Sequence, residues 1–226
     1  MKTPQEYKKA IRTLFSPRER RVLDRLKTPQ KIQQYLDAVA INFEEGGETL
    51  MGPREVLRTK QAHCIEAAMF AAASLAYHGY PPYLMDFQTV PNDEDHVVAV
   101  FKQGNYWGAI SKTNHATLRW RDPVYKTVRE LAMSYFHEYI VPNGKKTMIA
   151  YSKPFDMRKY KPETWVTSGE KLDWVAEELD ASPHFPAVSR SQKKLLLNAS
   201  KIERSLLIAP EEWPAPRKDG KKKNWH

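Results

Sequence analysis

Residues 64–77 constrain the fold more than any other part of the chain. They read Cys-Ile-Glu-Ala-Ala-Met-Phe-Ala-Ala-Ala-Ser-Leu-Ala-Tyr. Ala, Met and Leu are strong helix formers, and no Gly or Pro interrupts them. The helix is apolar almost all round, so it has to be enclosed on most sides. His78 and Gly79 predict its end, with a side chain suited to the negative pole and then a glycine free to turn left-handed. Pro81-Pro82 prevents the helix from resuming. Whatever the fold, other layers must wrap this segment, and 226 residues with 41% hydrophobic side chains are enough to do so.

After Pro82 the hydrophobic period changes from helical to alternating. Tyr83 to Val90 reads as a strand, and Pro91-Asn92-Asp93-Glu94 is turn chemistry. The β-branched run from His96 to Phe101, the Gln103-Gly104-Asn105 turn and the return run Tyr106 to Ser111 predict a β-hairpin. Two registers are open. A Gln103-Gly104 turn sets His96 opposite Ser111, and a Gly104-Asn105 turn sets it opposite Thr113. Before the central helix, the spacing of Tyr7, Ile11 and Leu14 predicts a helix. Ser16-Pro17 and Thr28-Pro29 read as fresh helix starts, a cap followed by proline at the first helical position. Asp122-Pro123 is read the same way, opening a helix that carries Val124, Val128, Leu131, Ala132, Tyr135 and Phe136. Thr147–Tyr151 reads as a strand, and Glu170–Leu179 and Lys194–Ile208 as helices. The order predicts an α+β fold. Its expected parts are a basic helical extension over 1–27, a core over 28–181, and a basic, proline-containing extension over 182–226 ending in a flexible tail from 210.

The net charge of +9 is uneven: +7 over residues 1–35, +4 over 217–226 and −2 between. Basic ends suit nucleic acid or another polyanion. Neither end interleaves aromatics as a single-strand binder would, so a solvated helix and tail is the favoured reading. No run approaches the ~20 apolar residues of a membrane span, and no secretory signal is visible. The expectation is a cytoplasmic protein without membrane contact. The single cysteine, Cys64, excludes an intrachain disulfide and a thiolate zinc ribbon, and no metal site is expected. The Asp93-Glu94-Asp95 run reads as a solvated loop, and His137 and Glu138 read as surface. Phosphate-loop, serine-hydrolase and zincin motifs are missing.

Cys64 opens the buried helix, where backbone amides lack intrahelical partners and the macrodipole is positive. Both favour a thiolate, and the same amides can hold an oxyanion, with Gln61 as a side-chain donor. His63 stands beside the sulfur as a second base or substrate contact, although a solvent-facing loop residue is the plainer reading. A cysteine nucleophile needs a base, and His96 at the start of a strand can be aimed with little entropy to lose. The base needs an orienter: Ser111 or Thr113 by register, or Asn114 if a bulge brings it in.

Cys64-x-Glu66-x-Ala68, a buried helix ending at Gly79, a strand opening with His96, and Trp107-x-x-x-Ser111-x-Thr113 together resemble the transglutaminase-like superfamily. The resemblance covers about residues 28–115. It implies a papain-like cysteine-enzyme core, with Cys64 as nucleophile and His96 as base. It further implies a protein or peptide amide as substrate and no cofactor. Where that family carries Asp, four residues after the tryptophan, this chain has Ser111. A hydroxyl can accept from the imidazole but supplies no charge to an imidazolium. Trp107 is expected near substrate. The rival reading keeps the fold as a non-catalytic module that contacts a polyanion or acidic protein through its basic ends.

Overall fold

The computed structural model describes residues 3–47 and 49–207. Helices α1 (Pro4–Leu14), α2 (Pro17–Leu23) and α3 (Pro29–Asp37) open the chain, each with proline in its first turn. Thr3, Ser16 and Thr28 accept from the amide three residues on, and Glu6 and Glu19 return a bond to the cap amide. Such caps contribute about 1 kcal/mol each. Strands β1 (Ala40–Ile41) and β2 (Gln61–Ala62) form a short parallel pair around α4 (Pro53–Thr59). One residue later α5 (Cys64–His78) begins. It is buried from Ile65 to Tyr77 and ends at Gly79, whose φ of +98° is the left-handed turn a glycine takes freely.

The sheet follows: β3 (Tyr83–Thr89), β4 (His96–Gln103), β5 (Tyr106–Ile110), β6 (Arg121–Tyr125), then helix α6 (Val128–Met133), β7 (Met148–Ser152) and β8 (Phe155–Asp156). Helices α7 (Glu163–Val166) and α8 (Asp173–Asp180), strand β9 (His184–Pro186), and short helices α9 (Arg190–Lys193) and α10 (Lys201–Arg204) complete it. The strand order is β6-β5-β4-β3-β7-β9, with β8 also beside β3, and every pair is antiparallel. The architecture is α+β. Strand alternation sorts side chains onto two covered faces. Leu84, Val97, Ala99, Phe101 and Ile110 pack with α5, whereas Met85, Phe87, Val98, Val100 and Ala109 pack with Leu131, Tyr135 and Tyr139.

Two expectations fail. Asp122-Pro123 lies within β6, not at a helix start. β6 is an edge strand, where a proline's missing donor is tolerated, and Thr127 caps the true helix α6. Of the helix expected over 194–208, α10, capped by Ser200, is the α-helical part among the described residues, and α9 ends just before the span. Leu195, Leu197 and Ile202 are 83%, 86% and 78% exposed, so a long helix there would have no apolar face to bury. Ile208, the tail from 210 and the basic end 217–226 lie outside the described residues.

The segments flanking the expected core pack into it. The Tyr7 hydroxyl of α1 donates to the Met157 carbonyl (3.1 Å) and accepts from Trp165 Nε1 (2.9 Å). The apolar cluster is continuous from Tyr7 through α5 to Leu179. Beyond residue 181, β9 adds a strand to the sheet. No helix among the described residues is long and apolar enough to cross a membrane.

Candidate active site

The N-terminus of α5 and the first residue of β4 meet a cavity of about 320 Å³ at one end of the sheet. Cys64, His63, His96, Thr113, Asn114 and His115 line it. Cys64 is half-buried and His96 is 5% exposed. No hydrogen bond joins Cys64 Sγ to the His96 imidazole among the described residues. Cys64 Sγ lies 4.0 Å from His63 Nδ1 instead.

His96 turns Nε2 to the Ser111 hydroxyl at 2.8 Å. That hydroxyl donates its one hydrogen to the Leu118 carbonyl. It must therefore accept from the ring, so Nε2 carries the hydrogen and Nδ1 keeps a lone pair. The hairpin turn is Gly104-Asn105, with Gln103 opposite Tyr106 and φ of +60° at Gly104. The ladder between β4 and β5 ends at Ala99 and Ile110. Thus Ser111 bonds His96, although this register would continue to Thr113. Two residues separate those positions, so they share a face, and diagonal neighbours are within reach.

The relay is held from three sides. The Gln33 side chain accepts from the Ser111 amide (2.9 Å) and donates to its carbonyl (2.8 Å), taking the place of a strand partner. Leu118 holds φ at +60°, which a branched residue rarely adopts, and this aims its carbonyl at Ser111. Its amide donates to Glu138 Oε2 (2.6 Å), and Glu138 in turn pairs with Arg121. Glu138, read as surface, is thus one wall of the site. Asn114 also lines the cavity, but the orienter of His96 Nε2 is Ser111.

Burial pushes the Cys64 thiol up to about 11, with Glu94 and Asp86 adding to it; the backbone amides of Val97 and Ile65 act the other way. Burial takes His96 down to about 3, and the nearby His115 pushes the same way. Both shifts favour the uncharged forms, thiol and imidazole. At Cys64 burial works against the thiolate that a helix terminus favours. His115 is also lowered by burial, against the pull of Asp93 and Glu94.

Other expected residues lie elsewhere. Gln61 is exposed on β2 and is not part of the cavity wall. Trp107 packs with Tyr83 on the face away from α5, where it lines a separate groove with Val128, Tyr151 and Phe185. His63 belongs to a clamp. Its Nε2 lies 3.1 Å from Glu44 Oε1 and 3.5 Å from Glu66 Oε1. These three residues place potential ligand atoms within 4.8 Å of one another. Both Glu66 oxygens already have donors, however: Thr49 and the Met51 amide on one, Asn42 and the His63 amide on the other. That carboxylate binds the 42–51 loop to the first turn of α5. Sequence reading missed Tyr139 altogether. It lines the cavity from the face away from α5, and its hydroxyl is buried without a hydrogen-bond partner among the described residues.

No family model matches the chain, and no curated protein matches it at a significant level.

Proposed function

We propose that this protein is a transglutaminase-like, papain-like cysteine enzyme that transfers or hydrolyses an acyl group. The observation that carries the reading is the relay from His96 Nε2 through Ser111 Oγ to the Leu118 carbonyl, with His96 and Cys64 lining one cavity; in this reading Nδ1 serves as the base. The order also supports it: a cysteine opening a buried helix, a histidine opening the next-but-one strand, then a hydroxyl after the third. As Cys64 Sγ attacks the carbonyl carbon of an amide, its proton passes to His96 Nδ1. The tetrahedral intermediate collapses, the proton goes to the departing amine, and a thioester forms. Water or a second amine, deprotonated by His96, then releases the acyl group and regenerates the thiol. Charge arises only during reaction, as general-base catalysis permits. Ser111 orients the ring without supplying the negative charge of an aspartate.

The test uses p-nitrophenyl acetate as a generic acyl donor, with intact-mass detection of the adduct. With one cysteine, a thioester is assigned directly. The expected result is an adduct on Cys64 that forms at least ~10²-fold more slowly in His96→Gln and is absent in Cys64→Ala. Equal acylation rates with and without His96 would sink the reading. They would favour the non-catalytic module.

A further inference from the structure

The wall of the Cys64 cavity runs against the charge of the whole chain. The protein carries +9 overall. Yet the cavity is lined by Glu44, Asp93, Glu94, Asp95 and Glu138 and by no Lys or Arg among the described residues. Arg121 offsets Glu138 from outside the wall, and His63 approaches Glu44. Asp93, Glu94 and Asp95 sit in the β3–β4 turn with no Lys or Arg paired to them among the described residues. Hydrogen bonds hold two of them in place. Asp93 accepts from Thr147 Oγ1, and Asp95 accepts from the Thr89 amide and hydroxyl (2.7 and 3.0 Å). Such bonds fix a charge without neutralising it. Glu94 is exposed at the mouth.

This field reaches the reacting groups. Glu94 acts on the Cys64 sulfur, Asp93 and Glu94 act on His115, and Asp93 acts on the Tyr139 hydroxyl. Tyr139 is an independent sign that something polar enters. Its residue is 2% exposed, it lines the cavity, and its hydroxyl has no partner among the described residues. Burying a hydroxyl unpaired is unfavourable, and a ligand oxygen would relieve it. A carbonyl beside a positive charge answers both features.

We infer that the cavity selects substrates carrying a positive charge, an ammonium or guanidinium group, beside the carbonyl that Cys64 attacks. The cation lies against the Asp93–Asp95 turn, and the carbonyl oxygen takes the Tyr139 hydroxyl. This deepens the acyl-transfer reading and rests on it for the chemistry, but cation selection is measurable without turnover.

The probe is modification of Cys64 at pH 9 by two methanethiosulfonates, one bearing trimethylammonium and one bearing sulfonate. Each rate is divided by the rate with a small free thiol. The expected cation-to-anion ratio is at least ~10 at low salt, the lower end of steering in a charged cleft. It falls toward unity near 1 M salt, where the screening length is about 3 Å. Glu94→Gln, at an exposed position, lowers the ratio several-fold while leaving the fold intact. A ratio at or below one, a ratio indifferent to salt, or no labelling by either reagent before unfolding overturns the inference. Paired amides with and without a neighbouring cation separate the two readings. Cys64- and His96-dependent turnover that ignores the cation defeats selection alone. High reagent selectivity with no His96-dependent acylation defeats catalysis alone. Tyr139→Phe is expected to lower kcat for the cationic amide at least ~10-fold with the reagent ratio unchanged. An unchanged kcat removes the hydroxyl from the inference.

Discussion

Two histidines, His96 buried and His184 half-buried, sit on the same sheet with opposite kinds of partner. At the start of β4, His96 meets the Ser111 hydroxyl. On edge strand β9, His184 Nδ1 donates to the Ser182 carbonyl (2.7 Å), while Nε2 lies 3.0 Å from Asp86 Oδ2. Asp86 lies on the α5 face of β3, and its amide donates to Ser152 Oγ of β7. The first contact closes one hairpin and the second joins residues 98 apart, and their chemistry differs. Ser111 cannot stabilise a charge, so His96 stays neutral. Asp86 offers His184 a carboxyl group, which a hydroxyl cannot match as a charge partner. Burial pushes Asp86 up to about 6, while the hydrogen bond from His184 opposes the rise. The carboxylate that a cysteine–histidine site would use therefore stands where it locks β9 to β3. The candidate site has the weaker, neutral orienter. In this fold the carboxyl partner clamps an edge strand, and the hydroxyl partner orients the buried His96 at the cavity.

The sharpest way to break this contrast is to remove each partner. Asp86→Ala leaves a buried imidazole facing a void and unfastens an edge strand; loss of one member of a buried pair costs about 3–5 kcal/mol. Ser111→Ala removes one acceptor and one donor in a neutral relay and is expected to cost about 1–2 kcal/mol. Urea unfolding of the two variants measures both. Equal losses would mean that the two contacts are energetically alike, and the contrast would fall.

The pH dependence separates the pairs by sign. The Asp86 carboxyl rises from 3.8 to about 6 in the fold, so its contribution is complete below pH 3.8 and is lost as pH rises through 6. His96 falls from 6.5 to about 3, so its contribution is complete above pH 6.5 and is lost as pH falls toward 3. Between pH 4 and 6 the two slopes oppose each other, each at most about 1.4 kcal/mol per pH unit. Asp86→Asn should therefore lose stability on acidification more steeply than the parent over this interval. His96→Gln should lose it less steeply. Unfolding midpoints at half-unit pH steps would show this. Identical slopes in all three proteins would show that neither group titrates as its surroundings require.

The elements that hold these pairs were legible where the signal is local. Residues 64–77 announce a buried helix because propensity and apolarity agree along one short stretch. Ser16-Pro17 and Thr28-Pro29 announce helix starts because a cap bonds only three residues ahead. Asp122-Pro123 carries the same local signal and is a strand, since a free sheet edge accepts proline and overrides the dipeptide. The apolar residues after Lys194 suggest a helix, but Leu195, Leu197 and Ile202 are left exposed among the described residues. Cys64 and His96 could be picked from residue type and context. Their surroundings could not. Gln33 reaches Ser111 across 78 residues and His184 reaches Asp86 across 98. Separations of that order leave no periodicity to read. Nor does residue type reveal that Leu118 has positive φ, which depends on Ser111 and Glu138 holding it at both ends.

The smallest expected effect tests how the neutral relay is kept in place. Glu138 accepts the Leu118 amide and pairs with Arg121, with its side chain 29% exposed. Glu138→Gln keeps an acceptor for that amide and loses only the partly solvated ion pair, so stability should change by less than about 1 kcal/mol. Glu138→Ala leaves the amide unpaired and frees Leu118 to relax toward negative φ, swinging its carbonyl from Ser111. The Ser111 hydrogen would then be free to turn to His96 Nε2 and move the ring proton to Nδ1. Long-range ¹H–¹⁵N spectra distinguish the two tautomers directly. The expected pattern is protonated Nε2 in the parent and in Glu138→Gln, and at least partial conversion in Glu138→Ala. In parallel, acylation of Cys64 by p-nitrophenyl acetate should fall in the alanine variant alone. An Nε2–H signal unchanged in Glu138→Ala would mean that Gln33 and Ser111 suffice to orient the base, and that the strain at Leu118 serves packing instead. The same measurement on His184, whose Nε2 faces Asp86, should show no change in either variant.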